Sequence, residues 1–477
     1  MTTTPTRPVL SKDGGTDNRR ALLLAVVLAA QFMALLDVFI VNVAAPTIRT
    51  EMGASGAGLQ LVVAGYTIAY AVLLVTGARL GDRFGHRRAY LGGLAVFTAA
   101  SLACGLAADT GQLIAFRIVQ GAGAALTIPQ VLSLIQRTFT GEDRVRALGA
   151  YSAVLATGAA AGQVVGGVLV SADLLGSGWR PVFLVNVPIG VALLALGARV
   201  LPRDAPTGPE RSRPLDLPGL VLLAAAVSLL TVPLVLGQEQ DWPLWAWLSL
   251  AAAAALAVVF GAYESRLARR GGAPLIAPRV LRIPGIGKAA FRIAVAMAVN
   301  AGFLFTLTLH LQGGLGYSAL RAGLTFAPAA VVFGVIGFTW RRWPARAQRV
   351  LVPAGFLTAA AAALAMGALL RGGGTGGWAL YPAFVAMGGG LALAFSPALT
   401  GALAAVRPED AADAGGLLAT VTQLGQLIGV AAFGTVFLGR LHAPGAYDSA
   451  EALWACALAL AAASILGAST ALVRRAR

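Results

Sequence analysis

Asp37 is the one carboxylate deep inside a long apolar stretch of this chain, in Leu36-Asp37-Val38-Phe39-Ile40-Val41-Asn42-Val43-Ala44-Ala45-Pro46. An aspartate at the centre of a membrane helix costs roughly 2.5–3.5 kcal/mol on insertion scales, so it is retained where it lines a pathway or meets a partner. One deep cation answers it: Arg117, in Leu113-Ile114-Ala115-Phe116-Arg117-Ile118-Val119-Gln120-Gly121. Burial works against an ionised carboxylate and a nearby guanidinium works for it. Moving the partner therefore loads or releases a proton, and a protonation switch is the chemistry these two residues offer. The plainer alternative is a static ion pair that tethers two helices.

Composition says what must position them. The chain of 477 residues is 58% hydrophobic and 12% charged, with mean hydropathy +0.78; soluble domains run near 25% charged. The net charge of +16 is broken into short clusters between apolar segments, which leaves no groove for nucleic acid and points to the charge bias of cytoplasmic loops. Cys104 and Cys456 both fall in apolar segments, so no disulfide framework is implied. The run after Arg19-Arg20 is too long for a signal peptide core and long enough to span a bilayer.

Fourteen apolar segments follow, at about 21–45, 58–80, 87–107, 111–136, 146–171, 181–200, 218–236, 243–264, 289–312, 319–340, 350–370, 377–404, 412–438 and 452–473. Their length and lack of period-two alternation make them helices, an all-α integral membrane fold. An even count places both termini on one side. Most of the Lys and Arg then fall on that side, while Arg49, Arg180, Arg321, Arg371 and Arg440 fall on the other. The bias makes the first side cytoplasmic and the membrane a plasma membrane. Counted along the helices, Asp37 lies about 13 Å and Arg117 about 9 Å below the outer surface, at similar depth.

An internal repeat is visible. Gly162-Gln163-Val164-Val165-Gly166 recurs as Gly425-Gln426-Leu427-Ile428-Gly429, and Gly121-Ala122-Gly123 with Pro129 recurs as Gly388-Gly389-Gly390 with Pro397. The offsets are nearly equal and the order is kept. This divides the chain into a cytoplasmic tail (1–20), a six-helix bundle (21–200), loops with two inserted helices (201–288), a second six-helix bundle (289–473) and a short tail (474–477). Repeats of this kind place a substrate site at their interface. Asn42, Gln120, Gln163, Asn300, Gln423 and Gln426 are the amides that could face it, or could simply bond between helices. Tyr66 could stack on aromatic or cationic ligands. His310 falls near the outer end of its segment.

The chain resembles the fourteen-span drug:proton antiporters of the major facilitator superfamily over nearly its whole length. The resemblance rests on the Leu36–Pro46 run and on Ala78-Arg79-Leu80-Gly81-Asp82-Arg83-Phe84-Gly85-His86-Arg87-Arg88. It rests equally on Arg117-Ile118-Val119-Gln120-Gly121-Ala122-Gly123, the glycine-rich run at 158–167, and Trp179-Arg180-Pro181-Val182-Phe183-Leu184-Val185-Asn186-Val187-Pro188-Ile189-Gly190. Ala78 stands where the loop motif opens with Gly, and Gln163 replaces the Pro of the antiporter motif, which removes a kink-forming residue. The resemblance implies a major facilitator fold and an inner-gate role for Asp82, Arg83 and Gly85.

No phosphate loop is complete: Gly285-Ile286-Gly287-Lys288 lacks the upstream Gly and a following Ser or Thr. No metal or cofactor motif is present, and the chain is not read as an enzyme. The expectation is a monomeric bacterial exporter of small hydrophobic or cationic molecules, driven by protons and embedded in membrane lipids. The alternatives are a dedicated exporter of one secondary metabolite and a non-transporting membrane receptor on the same fold.

Overall fold

The computed structural model describes residues 14–173, 176–204, 216–237, 240–276, 278–404, 406, 411–441, 443 and 445–472. The N-terminal half contains α1 (Gly14–Met52), α2 (Gly56–Phe84), α3 (His86–Gly105), α4 (Thr110–Thr138), α5 (Gly141–Ser171) and α6 (Asn186–Val200). A hairpin of α7 (Leu217–Leu236) and α8 (Leu244–Arg269) follows. The C-terminal half contains α9 (Ile286–Leu309), α10 (Ala319–Thr339), α11 (Leu351–Leu370), α12 (Leu380–Ala404), α13 (Ala411–Arg440) and α14 (Ala446–Leu472). There is no strand among the described residues. Twelve of these helices are long and apolar enough to cross a membrane; α3 and α5 are not among the twelve, α3 packing on α4 and α5 lying between α1 and the C-terminal half.

Helix starts follow local chemistry. Ser55, Asp109, Asp216 and Ser318 each accept a hydrogen bond from a backbone N–H three residues on, at 2.8–3.2 Å, satisfying donors that a first turn leaves open. Helix α1 begins at Gly14, so Arg19 and Arg20 belong to its first turns. The expected sixth segment is broken at Val185, between a short turn (Pro181–Leu184) and α6. Helix α9 ends in one π-helical turn, His310–Gly314.

The two halves repeat the same pairings. Helix α1 packs on α5, α2 on α4 and α3 on α4; correspondingly α9 packs on α13, α10 on α12 and α11 on α12. Paired glycines allow it. A Cβ on Gly121 would lie 2.2 Å from the Tyr66 carbonyl oxygen of α2, and a Cβ on Gly388 would lie 2.0 Å from the Ala329 carbonyl oxygen of α10. Gly162 and Gly166 meet α1 at Leu36, Phe39 and Ile40, as Gly425 and Gly429 meet α9 at Ala294 and Ala298. Close helix approach through small residues is the main packing device in lipid, where apolar burial alone gives little drive.

Between the halves, α5 packs on α10 and α2 on α13, while the α7–α8 hairpin packs on α2 and α13. At one end the halves are sealed: Gln312 donates to the Val43 carbonyl at 2.9 Å, and Leu320 N–H donates to Ser171 Oγ at 2.9 Å. Gly167 also sits there against Ala319 and Leu320. The opposite end, where α1 begins and α2 turns into α3, opens into a cavity of about 1800 Å³ between the halves. Large apolar side chains such as Val221, Leu244, Leu248 and Val258 are exposed on the hairpin's outer face, the surface that lipid contact requires.

Candidate functional site

Asp37 and Arg117 meet. Arg117 Nη1 donates to Asp37 Oδ2 at 2.6 Å, and the two side chains are 1% and 0% exposed. Asp37 Oδ1 accepts from Gln120 Nε2 at 2.8 Å and from Asn186 Nδ2 at 2.9 Å. The guanidinium also donates through Nε to the Val62 carbonyl at 3.1 Å and through Nη1 to Gln120 Oε1 at 2.7 Å. Gln120 in turn donates to Ser101 Oγ at 2.8 Å. Helices α1, α4 and α6 thus meet at one carboxylate, with α2 and α3 holding its partners Arg117 and Gln120. Three donors on the carboxylate are what a buried charge needs, since an ion pair repays desolvation only when further hydrogen bonds support it; Asn186 Oδ1 is buried without a hydrogen-bond partner among the described residues.

The network does not open on the cavity. Neither Asp37 nor Arg117 lines it, whereas Tyr66 does, and Arg117 Cζ lies 4.5 Å from the centroid of the Tyr66 ring. Tyr66 is therefore the partition between ion pair and cavity, with Tyr70 stacked beside it at 6.0 Å. Phe183 stands 5.7 Å from the same guanidinium.

The amides expected on the cavity wall divide into two groups. Asn300, Gln423 and Gln426 line it. Gln120 does not: it is fully buried and spent on Asp37, Arg117 and Ser101. Asn42 does not line it either; it is buried on α1. Its Oδ1 has no hydrogen-bond partner among the described residues. The side chain of Gln163 lies outside the described residues.

At the cavity mouth, Asp82 lies 3.5 Å from His86 Nε2 and its side chain is 60% exposed. His86 Nδ1 is 2.7 Å from Gln130 Oε1, and Gln130 donates to the Gly77 carbonyl at 2.9 Å. Gly85, between α2 and α3, has φ +101°, which strains any side chain. A Cβ there would also strike the carboxylate of Asp204 at 2.2 Å. That carboxylate accepts from the N–H groups of Arg87 at 3.0 Å and Arg88 at 3.2 Å, an acid at a helix N-terminus where partial positive charge gathers. Arg83 lies over Phe84, 5.4 Å to the ring centroid. Arg79 donates to the Ala273 carbonyl at 2.7 Å and to the Pro274 carbonyl, tying the loop motif to the segment after the α7–α8 hairpin.

Sequence reasoning missed Asn186, Ser101 and Asp204. Asn186 was visible within the Trp179–Gly190 run; Ser101 and Asp204 carry no local signal, because each acts on another helix, the next one for Ser101 and a remote one for Asp204. His310 is buried at the sealed end, with Nδ1 2.7 Å from Ser449 Oγ.

The model of the major facilitator superfamily matches residues 27–430. The chain belongs to the major facilitator superfamily. This superfamily member is 40% identical over 457 residues to a probable actinorhodin transporter of Streptomyces coelicolor, covering 92% of this chain and 78% of that protein. It is 41% identical over 435 residues to a cephamycin export protein of Amycolatopsis lactamdurans, covering 89% of this chain and 87% of that one. Among solved structures, a bacterial homologue of the lysosomal transporter Spinster, in an inward-facing and occupied conformation, superposes with TM-score 0.68 at 18% identity, covering 95% and 96% of the two chains. That likeness concerns the fold. The protein is accordingly a multi-pass membrane transporter and not an enzyme.

Proposed function

We propose that this transporter is a proton-coupled exporter of small hydrophobic compounds, antibiotics among them, working by alternating access in a bacterial plasma membrane. The observation that carries the proposal is the Asp37–Arg117 pair, buried behind Tyr66 at the wall of the open cavity. A proton taken up by Asp37 removes its charge, and Arg117 loses its ionic partner while keeping the Val62 carbonyl and Gln120. The guanidinium and the Tyr66 ring over it then shift together, so proton occupancy at α1 and α4 is read at the cavity wall. A substrate pressing on Tyr66 acts on the same pair from the other side.

In this reading the arginine-rich end is cytoplasmic, all fourteen helices cross the membrane, and the chain works as a monomer. The domains are 21–200 and 289–473, with 201–288 as an insert between them, and the cavity is the inward-facing state. Asp82, Arg83 and Gly85 serve the inner gate: Asp82, exposed while the mouth is open, engages when it closes. One proton crossing 100 mV gains about 2.3 kcal/mol, which sustains roughly a 50-fold gradient of a neutral compound at tenfold per 1.4 kcal/mol. A dedicated exporter of one metabolite is the second reading, favoured by relatives that are each named for a single compound.

Asp37→Asn tests the coupling, since the amide is nearly isosteric and releases no proton. In inside-out vesicles with an acidified lumen, the wild type should accumulate actinorhodin or a cephamycin uphill, and the variant should at most equilibrate it. Undiminished uphill accumulation by the variant would place the proton site elsewhere.

A further inference from the structure

The cavity presents aromatic surface on both sides. Tyr66 and Tyr70 form a stacked pair on the N-terminal wall. Phe303 and Phe326, edge to face at 5.8 Å, and Phe333 beside Phe395 at 6.3 Å, line the C-terminal wall. Two facing aromatic walls suit a flat ring system, which can stack or take edge-on contacts with either side. Between them stand neutral hydrogen-bonding groups, chiefly the amides Gln31, Asn300, Gln423 and Gln426.

The charges are arranged against a cation. Among the described residues, the acidic side chains lining the cavity are Asp82 and Asp204, both at the mouth. Asp82 is beside His86, and Asp204 is held by the N–H groups at the start of α3. The deep carboxylate, Asp37, is walled off, and its oxygens are taken by Arg117, Gln120 and Asn186. Arg19, Arg20, Arg137 and Arg203 line the entrance. Arginines on this side also serve topology, so the rim alone decides nothing. The decisive feature is the rim together with a deep wall that offers phenol and amide donors and no accessible carboxylate. A lipophilic cation would pass a repelling rim and find ring faces and amide oxygens but no counter-charge; an aromatic acid would be drawn in by the rim and find phenol and amide donors.

We propose that the cavity selects planar aromatic compounds bearing a carboxylate or phenolate over lipophilic cations of the same ring size. This rests on the exporter reading of the same cavity and narrows its substrate class. Fluorescein and rhodamine 6G share a xanthene ring and carry opposite charge, so they isolate the effect. Fluorescence polarisation on the purified full chain should show fluorescein binding at least tenfold more tightly. Asn300→Asp, which adds an acid to the deep wall, should narrow that ratio at least fivefold by strengthening rhodamine 6G binding. Arg137→Gln with Arg203→Gln should weaken fluorescein severalfold and leave rhodamine 6G unchanged or tighter.

Tighter binding of rhodamine 6G to the wild type, binding of neither dye, or a ratio indifferent to Asn300→Asp would each overturn the proposal. Uphill export of both dyes in vesicles, with the cation preferred, would overturn it while leaving the exporter reading intact. Selective fluorescein binding without movement of either dye would sink the exporter reading and leave the charge selectivity standing.

Discussion

Arg117→Met should be far more damaging alone than in company with Asp37→Asn. In the single variant, Asp37 keeps its two amide donors, Gln120 and Asn186, at 2.8 and 2.9 Å, but loses the guanidinium at 2.6 Å. Removing one partner of a fully buried pair leaves an uncompensated charge, which costs about 3–5 kcal/mol. In the double variant both charges are gone. The Asn amide can still bond its neighbours, and the expected loss is about 1–2 kcal/mol, because replacing both members of a buried pair is often close to neutral. The interaction energy from the cycle should then be about 2 kcal/mol or more, well beyond the ~0.5 kcal/mol scatter of independent sites. Denaturant unfolding in mixed micelles, followed by tryptophan fluorescence, supplies the four stabilities. A double variant destabilised by the simple sum of the singles would refute the paired-charge account, whatever its effect on transport. A rescued double variant that still fails to pump would separate the fold's need for a neutral site from the coupling's need for a proton.

Two further outcomes can be checked. Gly121→Ala puts a methyl 2.2 Å from the Tyr66 carbonyl, a backbone atom that cannot swing away, so about 1–3 kcal/mol of stability should be lost; Gly388→Ala should match it across the repeat, whereas Gly92→Ala, with nothing within 4 Å, should be harmless in the same unfolding assay. Asp82→Asn should leave stability within about 0.5 kcal/mol, as expected for an exposed side chain, yet slow export at matched expression; an unchanged initial rate would remove the aspartate from the inner gate.

Much of the candidate site could be read along the chain because membrane energetics makes deep charge conspicuous. Asp37 and Arg117 stand out as charges in apolar runs, and counting 1.5 Å per residue brings them to similar depth. Gly121 and Gly388 were legible as a repeat, and they make the same backbone approach in each half. The role of Gln120 was not legible. An amide on a helix looks the same whether it faces solvent, ligand or a neighbouring carboxylate, and only the packing of α1, α3 and α4 assigns it to Asp37. The helical start of the segment that carries Arg19 and Arg20 was not legible either, because polarity alone cannot show that a helix has already begun.

What the linear chain determined by itself is local and periodic. Hydropathy and length decide that these segments are helices, since every backbone donor in lipid must be satisfied within its own segment, and glycine spacing decides which faces can approach closely. Contacts between remote segments belong to the tertiary structure alone. Asn186 reaches Asp37 across 149 residues, and Asp204 reaches the start of α3 across more than 110. The shielding of the ion pair by Tyr66, and the acid-poor character of the cavity wall, likewise depend on how each helix is rotated about its axis. That rotation is set by the neighbours a helix packs against, and no period within a single helix encodes it.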